Sequence, residues 1–456
     1  MEFTVWTLAI DLGLVSLLLL IGQLLRTKVR LVQASFLPAS IIAGVIGLVL
    51  GPNVLALLPF SELIAEYPEF LIAAIFAALP LGQRFNVGSI AGRVGTMWAY
   101  SQAMMIFMWG LGVLLAITVL GLIWDLPRGF GLLLASGFAG GHGSAAAVGS
   151  SFSDLGWQEA TSLAYTSATV GVIVAIAGGL LLVKWGTRTG RTNTISRFSD
   201  LPPELKTGVV PSGRRKSIGE GTISPISLEP LAFHLGLILA VVVAAYGLGN
   251  LIGSLLGDYA IPTFALAFLV GLVVQFALSR SGAGEYVDRT TVSGITGTAT
   301  DLLIAFGIAS IVPTVVADYI APLSLLMIFG VLYCLLLFRY LAPKIFPAYA
   351  FEKGLFTWGW STGAVAMGIA LLRIVDPELE SGTLDDFGVA YIPVAPVEVA
   401  LVGFSPLILV SGFAWPYVGV CFAVGAFALV LSRGLGWWSA DGSSTKASKA
   451  GSGAAG

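Results

Sequence analysis

In Gly129-Phe130-Gly131-Leu132-Leu133-Leu134-Ala135-Ser136-Gly137-Phe138-Ala139-Gly140-Gly141-His142-Gly143-Ser144-Ala145-Ala146-Ala147, an apolar run breaks at a glycine cluster and then resumes. Residues 129–139 as a helix reach about 16 Å, roughly half of a hydrocarbon core about 30 Å thick. The glycines permit a tight reversal. Ser144 reads as the N-cap of a returning half-helix that begins at Ala145. The pattern recurs at Gly359-Trp360-Ser361-Thr362-Gly363 before the apolar run 364–372. Each returning half-helix would point its N-terminus at the membrane centre. Free N–H groups and the positive dipole end favour an anion there. Unwound carbonyls and hydroxyls favour Na⁺. The competing reading is that the glycines only allow close helix packing.

The composition places this motif in a bilayer. Of 456 residues, 57% are hydrophobic and 11% are charged, against about 25% charged in an ordinary soluble chain. That leaves too little polar surface to cover soluble domains. The net charge of −2 offers no basic face for nucleic acid. The two cysteines, Cys334 and Cys421, sit inside apolar runs and read as packing residues. The fold class is therefore an all-α polytopic membrane protein.

Apolar segments lie at 5–25, 32–52, 70–82, 96–123, 129–149, 160–183, 230–256, 259–279, 301–317, 319–338, 354–372, 389–411 and 413–432. The first lacks the basic start of a cleaved signal and is read as a retained helix. Re-entrant hairpins at about 128–152 and 346–372 give the best charge distribution. With the N-terminus outside, the inside loops then hold 19 of the 23 basic residues. Ser411-Gly412 allows a turn that makes 413–432 an extra crossing. Residues 187–229 read as a cytoplasmic linker, and 433–456 as a disordered tail.

The halves 1–186 and 230–412 resemble each other. Leu8-Ala9-Ile10-Asp11-Leu12-Gly13-Leu14 matches Leu231-Ala232-Phe233-His234-Leu235-Gly236-Leu237, and four further matches follow in the same order, ending with the two glycine breaks. Five crossings and one hairpin per half would make the repeats opposite in topology, the plan of many secondary transporters. A duplicated bundle without transport is the plainer alternative. No GxxxxGK[ST] loop and no HExxH motif is present, which argues against ATP coupling and metalloprotease chemistry.

Substrate contacts are expected from Gly141, His142, Gly143 and Ser144 at the first break and from Ser361, Thr362 and Gly363 at the second. Thr166, Ser167 and Thr169 on the following helix, with Ser405 and Glu398, are candidate Na⁺ ligands. For the hydroxyls the alternative is bonding back to helix carbonyls; for Glu398 it is helix-end solvation. Asp11 and His234 lie near a membrane boundary and read first as structural. Thr290–Asp301 reads as an unwound lead-in or a loop.

Through Gly140-Gly141-His142-Gly143-Ser144-Ala145-Ala146 and Gly359-Trp360-Ser361-Thr362-Gly363, the chain resembles the bacterial sodium/glutamate symporter family over most of 5–412. The resemblance implies Na⁺-driven L-glutamate uptake across the inner membrane, a homodimer, and elevator-like movement of a tip-bearing core past a fixed scaffold. Another anionic amino acid or a dicarboxylate is the alternative cargo, and a channel is the alternative mechanism. The second break lacks the Gly-Gly pair of the first.

Overall fold

The computed structural model describes residues 4–35, 37–82, 93–191, 207–215, 217–256, 262–376 and 379–438. Among these residues every regular element is helical. Most of the linker and the end of the tail fall outside them.

The first half comprises α1 (Val5–Lys28), α2 (Arg30–Ser35), α3 (Ala39–Leu50), α4 (Tyr67–Ala78), α5 (Arg93–Thr118), α6 (Leu132–Gly137), α7 (Gly141–Asp154) and α8 (Ala160–Arg188). The second comprises α9 (Pro230–Leu256), α10 (Thr263–Ser281), α11 (Arg289–Ala309), α12 (Pro313–Asp318), α13 (Ile320–Leu336), α14 (Ala342–Ile345), α15 (Ala350–Thr362), α16 (Val365–Val375) and α17 (Thr383–Val410), followed by α18 (Ala414–Gly434). Nine helices among the described residues are long and apolar enough to cross a bilayer. Segment 32–52, read as a crossing, forms only a short helix, and segment 70–82 is short, as its length in the sequence suggests. α3 and α4 have 12 residues each, so each rises only about 18 Å.

The pairing pattern occurs twice. α1 packs on α3, and α9 packs on α10. α3 lies along α11, α4 lies along α10, and α4 meets α11. α8 packs on α15, while α17 packs on α7. These helices carry apolar residues around most of their circumference, as expected when lipid and protein both face apolar surface.

Thr290–Asp301 is helical throughout, inside α11. Asp288 caps it, accepting from Thr291 N and Thr291 Oγ1 at 2.7 Å each. Thr296 and Thr300 donate to the carbonyls four residues back, so the threonines that suggested a loop are satisfied within the helix. The turn expected at Ser411-Gly412 is present, with Gly412 at φ +91°. The end of α18 runs beyond 432, and Trp438 folds back to donate to Ser432 Oγ at 2.9 Å. The expected disordered tail therefore does not begin at 433.

Asp11 and His234, at matching places in α1 and α9, both accept a backbone N–H from a later loop. Asp11 takes Ser61 N at 3.0 Å, with Ser61 Oγ and Tyr67 OH as further donors. His234 Nε2 takes Asp288 N at 2.8 Å, while its Nδ1 donates to Pro230 O at 2.6 Å. The structural reading holds for both. Each buried side chain fixes the chain just before α4 or α11 and satisfies a backbone donor that would be costly to bury unpaired.

Candidate functional site

α6 has only six residues and ends against α8 because Gly137 lets the two backbones touch. A Cβ at Gly137 would lie 2.1 Å from Ser167 Oγ. The chain reverses at Phe138–Gly140, and α7 starts at Gly141 with φ +62°, the left-handed region that glycine tolerates. The helix thus begins three residues before Ser144. Ser144 lies in its first turn instead of capping it, a correction to the sequence reading. Gly140 occupies the cap position without a side-chain bond.

The second break also differs from expectation. Ser361 and Thr362 belong to the last turn of α15, and both hydroxyls donate back to Trp358 O, at 3.1 and 2.7 Å. They do not cap the returning helix. The break consists of Gly363 and Ala364; Ala364 is extended, at φ −177° and ψ 164°, and α16 starts at Val365. The reason is local: a hydroxyl inside a membrane finds the carbonyl one turn back more readily than an open N-terminus.

The two breaks meet. A Cβ on Gly141 would come within 3.0 Å of Gly363 O. α8 runs beside both. His142 Nε2 lies 3.2 Å from Thr169 Oγ1. That hydroxyl gives its proton to Tyr165 O at 2.8 Å, so the histidine is the donor between the two. Two residues on, Gly171 lies against Thr362 O, which a Cβ would approach to 2.4 Å. Trp358 Nε1 donates to Ala175 O at 3.1 Å, and Gly178 and Gly179 receive Trp358 and Leu371. One helix therefore carries the first break on its earlier turns and the second on its later ones.

Gly141, His142, Thr169, Thr362 and Gly363 come together at this junction. Gly143 faces Ile72 of α4. Ser167 is fully buried and donates to Leu133 O at 2.6 Å, while Thr166 bonds back to Ser162 O at 2.7 Å. Two candidate Na⁺ ligands point elsewhere. Ser405 donates to Tyr417 OH of α18 at 2.9 Å, and Glu398 accepts from Tyr391 OH. Tyr391 packs edge-on against Trp360, beside Ser361, so two aromatic rings link Glu398 to the second hairpin.

The starts of α7 and α16 bring positive helix ends to the junction, and the ends of α6 and α15 bring carbonyls. Helix N-termini suit an anion and free carbonyls suit a small cation. The sequence reading missed a buried charged pair near the start of α15. Lys353 Nζ lies 2.7 Å from Asp386 Oδ2, and both side chains are 1% exposed. Glu352 is buried beside them. These residues fall just outside the apolar windows 354–372 and 389–411. The adjacent Glu352-Lys353 and Asp385-Asp386 pairs, one on each side of the hairpin, were the available signal.

Nine long apolar helices among the described residues define a multi-pass membrane protein. The sequence profile of the sodium/glutamate symporter family matches residues 7–375. The chain belongs to the sodium/glutamate symporter family. The match ends with α16, so α17 and α18 lie beyond it. No curated protein matches the chain.

Proposed function

We propose that this protein imports L-glutamate together with Na⁺, by alternating access between two inverted repeats. The observation that carries the reading is the junction of Gly141 with Gly363, where two helix N-termini and two helix C-termini converge. Family membership supports Na⁺ as coupling ion and glutamate as cargo. The bound cation offsets the substrate charge, so each favours the other's binding.

The doubled pairing of α1–α3 with α9–α10, and of α8 and α17 with the opposite hairpin, supports an inverted repeat. In this reading α6–α8 and α15–α17 form the moving core, and α1, α3, α4 and α9–α11 form the frame. The basic linker and helix ends support a cytoplasmic linker, with the N-terminus outside, in a bacterial inner membrane. A homodimer follows from the family resemblance alone and is read by native mass measurement.

The test is uptake into proteoliposomes with an inward Na⁺ gradient and a panel of labelled amino and organic acids. Concentrative glutamate uptake that collapses when Na⁺ is replaced by K⁺ is expected. Glutamate uptake that is indifferent to Na⁺ removes the symport assignment. Uptake that never exceeds equilibrium indicates a channel, and a better substrate in the panel renames the cargo.

A further inference from the structure

The ends of α8 and α13 carry a feature that transport of a small anion does not use. Two guanidinium groups approach the Trp185 ring, with Arg191 Cζ 4.9 Å and Arg339 Cζ 5.8 Å from its centroid. Arg339 also lies over Tyr340, at 5.5 Å. The tryptophan is braced by Phe338 at 6.3 Å and Phe351 at 6.4 Å. Lys184 and Arg188 are exposed in the last turns of α8, and Arg191 just past α8 and Arg339 just past α13 are exposed too. Arg339 sits within a single π-helical turn, Leu337–Leu341, which widens the helix and is often found at functional sites.

The charge here is one-sided. The sequence holds no acidic residue between Glu159 and Asp200, and none between Asp318 and Glu352. Among the described residues no carboxylate pairs with Arg191 or Arg339. A guanidinium laid over an aromatic face keeps its N–H donors at the edges, in the fork that suits phosphate oxygens.

Apolar surface continues below the cations. Leu181 is 68% exposed, and Leu332 and Leu336 are 53% and 56% exposed. Leu181 lies one turn before Trp185 and two before Arg188. Leu181, Trp185 and Arg188 thus share a face of α8, and Leu332 and Leu336, one turn apart, share a face of α13 just before the π-helical turn that holds Arg339. Contact between Trp185 and Phe338 brings the ends of the two helices side by side. An anionic head fixed to two acyl chains matches that order of cation, aromatic ring and leucine. Tryptophan and arginine at such a depth are usual at the headgroup level.

We propose that the Arg191–Trp185–Arg339 cluster binds the phosphodiester headgroup of an anionic phospholipid, with the acyl chains lying on Leu181, Leu332 and Leu336. A bound lipid of this kind would tie the end of α8, which carries both breaks, to α13.

The test uses the full-length protein purified in detergent and titrated with phosphatidylglycerol, phosphatidylcholine or inorganic phosphate. Native mass spectrometry reads the adducts, and thermal unfolding reads stabilisation; neither needs transport to be active. Phosphatidylglycerol should form a retained adduct and raise the midpoint, while phosphatidylcholine and inorganic phosphate should do neither. The Arg191→Gln/Arg339→Gln variant should weaken the phosphatidylglycerol adduct roughly tenfold or more, given about 1 kcal/mol per basic residue at an anionic surface. Arg280→Gln is the control, because Arg280 is exposed and lies 5.0 Å from the Phe276 ring in a comparable stack. If the double variant does not fold, Arg339→Gln alone carries the test, with a partial loss expected. Unchanged phosphatidylglycerol binding in these variants overturns the proposal. So does equal loss in Arg280→Gln, which would mean general surface attraction. A fall in oligomer mass with the lipid adduct retained would assign the face to a second copy of the chain.

Discussion

At Gly141 the first hairpin turns with φ +62°, and its Cα faces Gly363 O. Alanine there meets two penalties: a left-handed backbone that costs about 1–2 kcal/mol for a residue with a side chain, and a methyl 3.0 Å from a carbonyl oxygen. Gly141→Ala should keep the protein inserted and folded yet lower Na⁺-driven uptake at least tenfold, because the methyl occupies the space between the helix ends. Normal uptake by this variant would remove the junction as the substrate site. The Lys353–Asp386 pair makes a different prediction. Breaking a buried pair leaves an uncompensated charge, typically at a cost of about 3–5 kcal/mol. Lys353→Met should therefore sharply lower the unfolding midpoint in detergent, and Lys353→Met/Asp386→Leu should recover part of the loss. A double variant less stable than the single would mean that the charges are needed for more than each other.

The loop before α11 is where element-scale chemistry becomes testable. Partial burial pushes the Asp288 carboxyl up, but hydrogen bonds from Thr291 and the backbone of Glu220 outweigh it and hold it below the usual aspartate value. A depressed folded value stabilises the protein above the unfolded aspartate pKa, about 3.9. That stability is lost as pH falls through the folded value. Asn also caps helices well, so Asp288→Asn removes the charge while keeping the cap. The wild type should unfold later than this variant at pH 7, and the gap should close below about pH 4. A gap that persists in acid would show that the carboxylate charge is not its source. The same element shows why parts of the fold were unreadable in the sequence. Apolar length and glycine breaks were visible, because bilayer thickness and φ > 0 leave few alternatives. The helical Thr290–Asp301 was not, since its threonines bond to carbonyls four residues back and the helix is held by packing on α3 and α4. Ser144, Ser361 and Thr362 marked the two breaks but not the helix starts, because a hydroxyl has both a cap and a back-bond open to it and the sequence does not say which it takes.

For the whole molecule, the proposed division into frame and core turns on contacts that must break in each cycle. Gly403 of α17 meets Ala265 of α10, where a Cβ at 403 would lie 3.1 Å from the alanine methyl. Beside it, Ser151 and Asp154 of α7 line a small crevice with Pro262 and Gly403. This contact joins core to frame. The contact of Gly47 in α3 with Ala309 in α11, at 2.9 Å, lies within the frame. Disulfides prefer Cβ separations of about 3.5–4.5 Å, so each pair needs only a small relaxation to be bridged. If the core slides past the frame, an oxidised Gly403→Cys/Ala265→Cys pair should stop uptake, and reduction should restore it. The Gly47→Cys/Ala309→Cys pair should cross-link without stopping transport, because both ends stay in one rigid body. Transport that survives complete cross-linking of the first pair would rule out sliding at α10. Arrest by the second pair alone would place the moving boundary between α3 and α11, inside what is here taken as the frame.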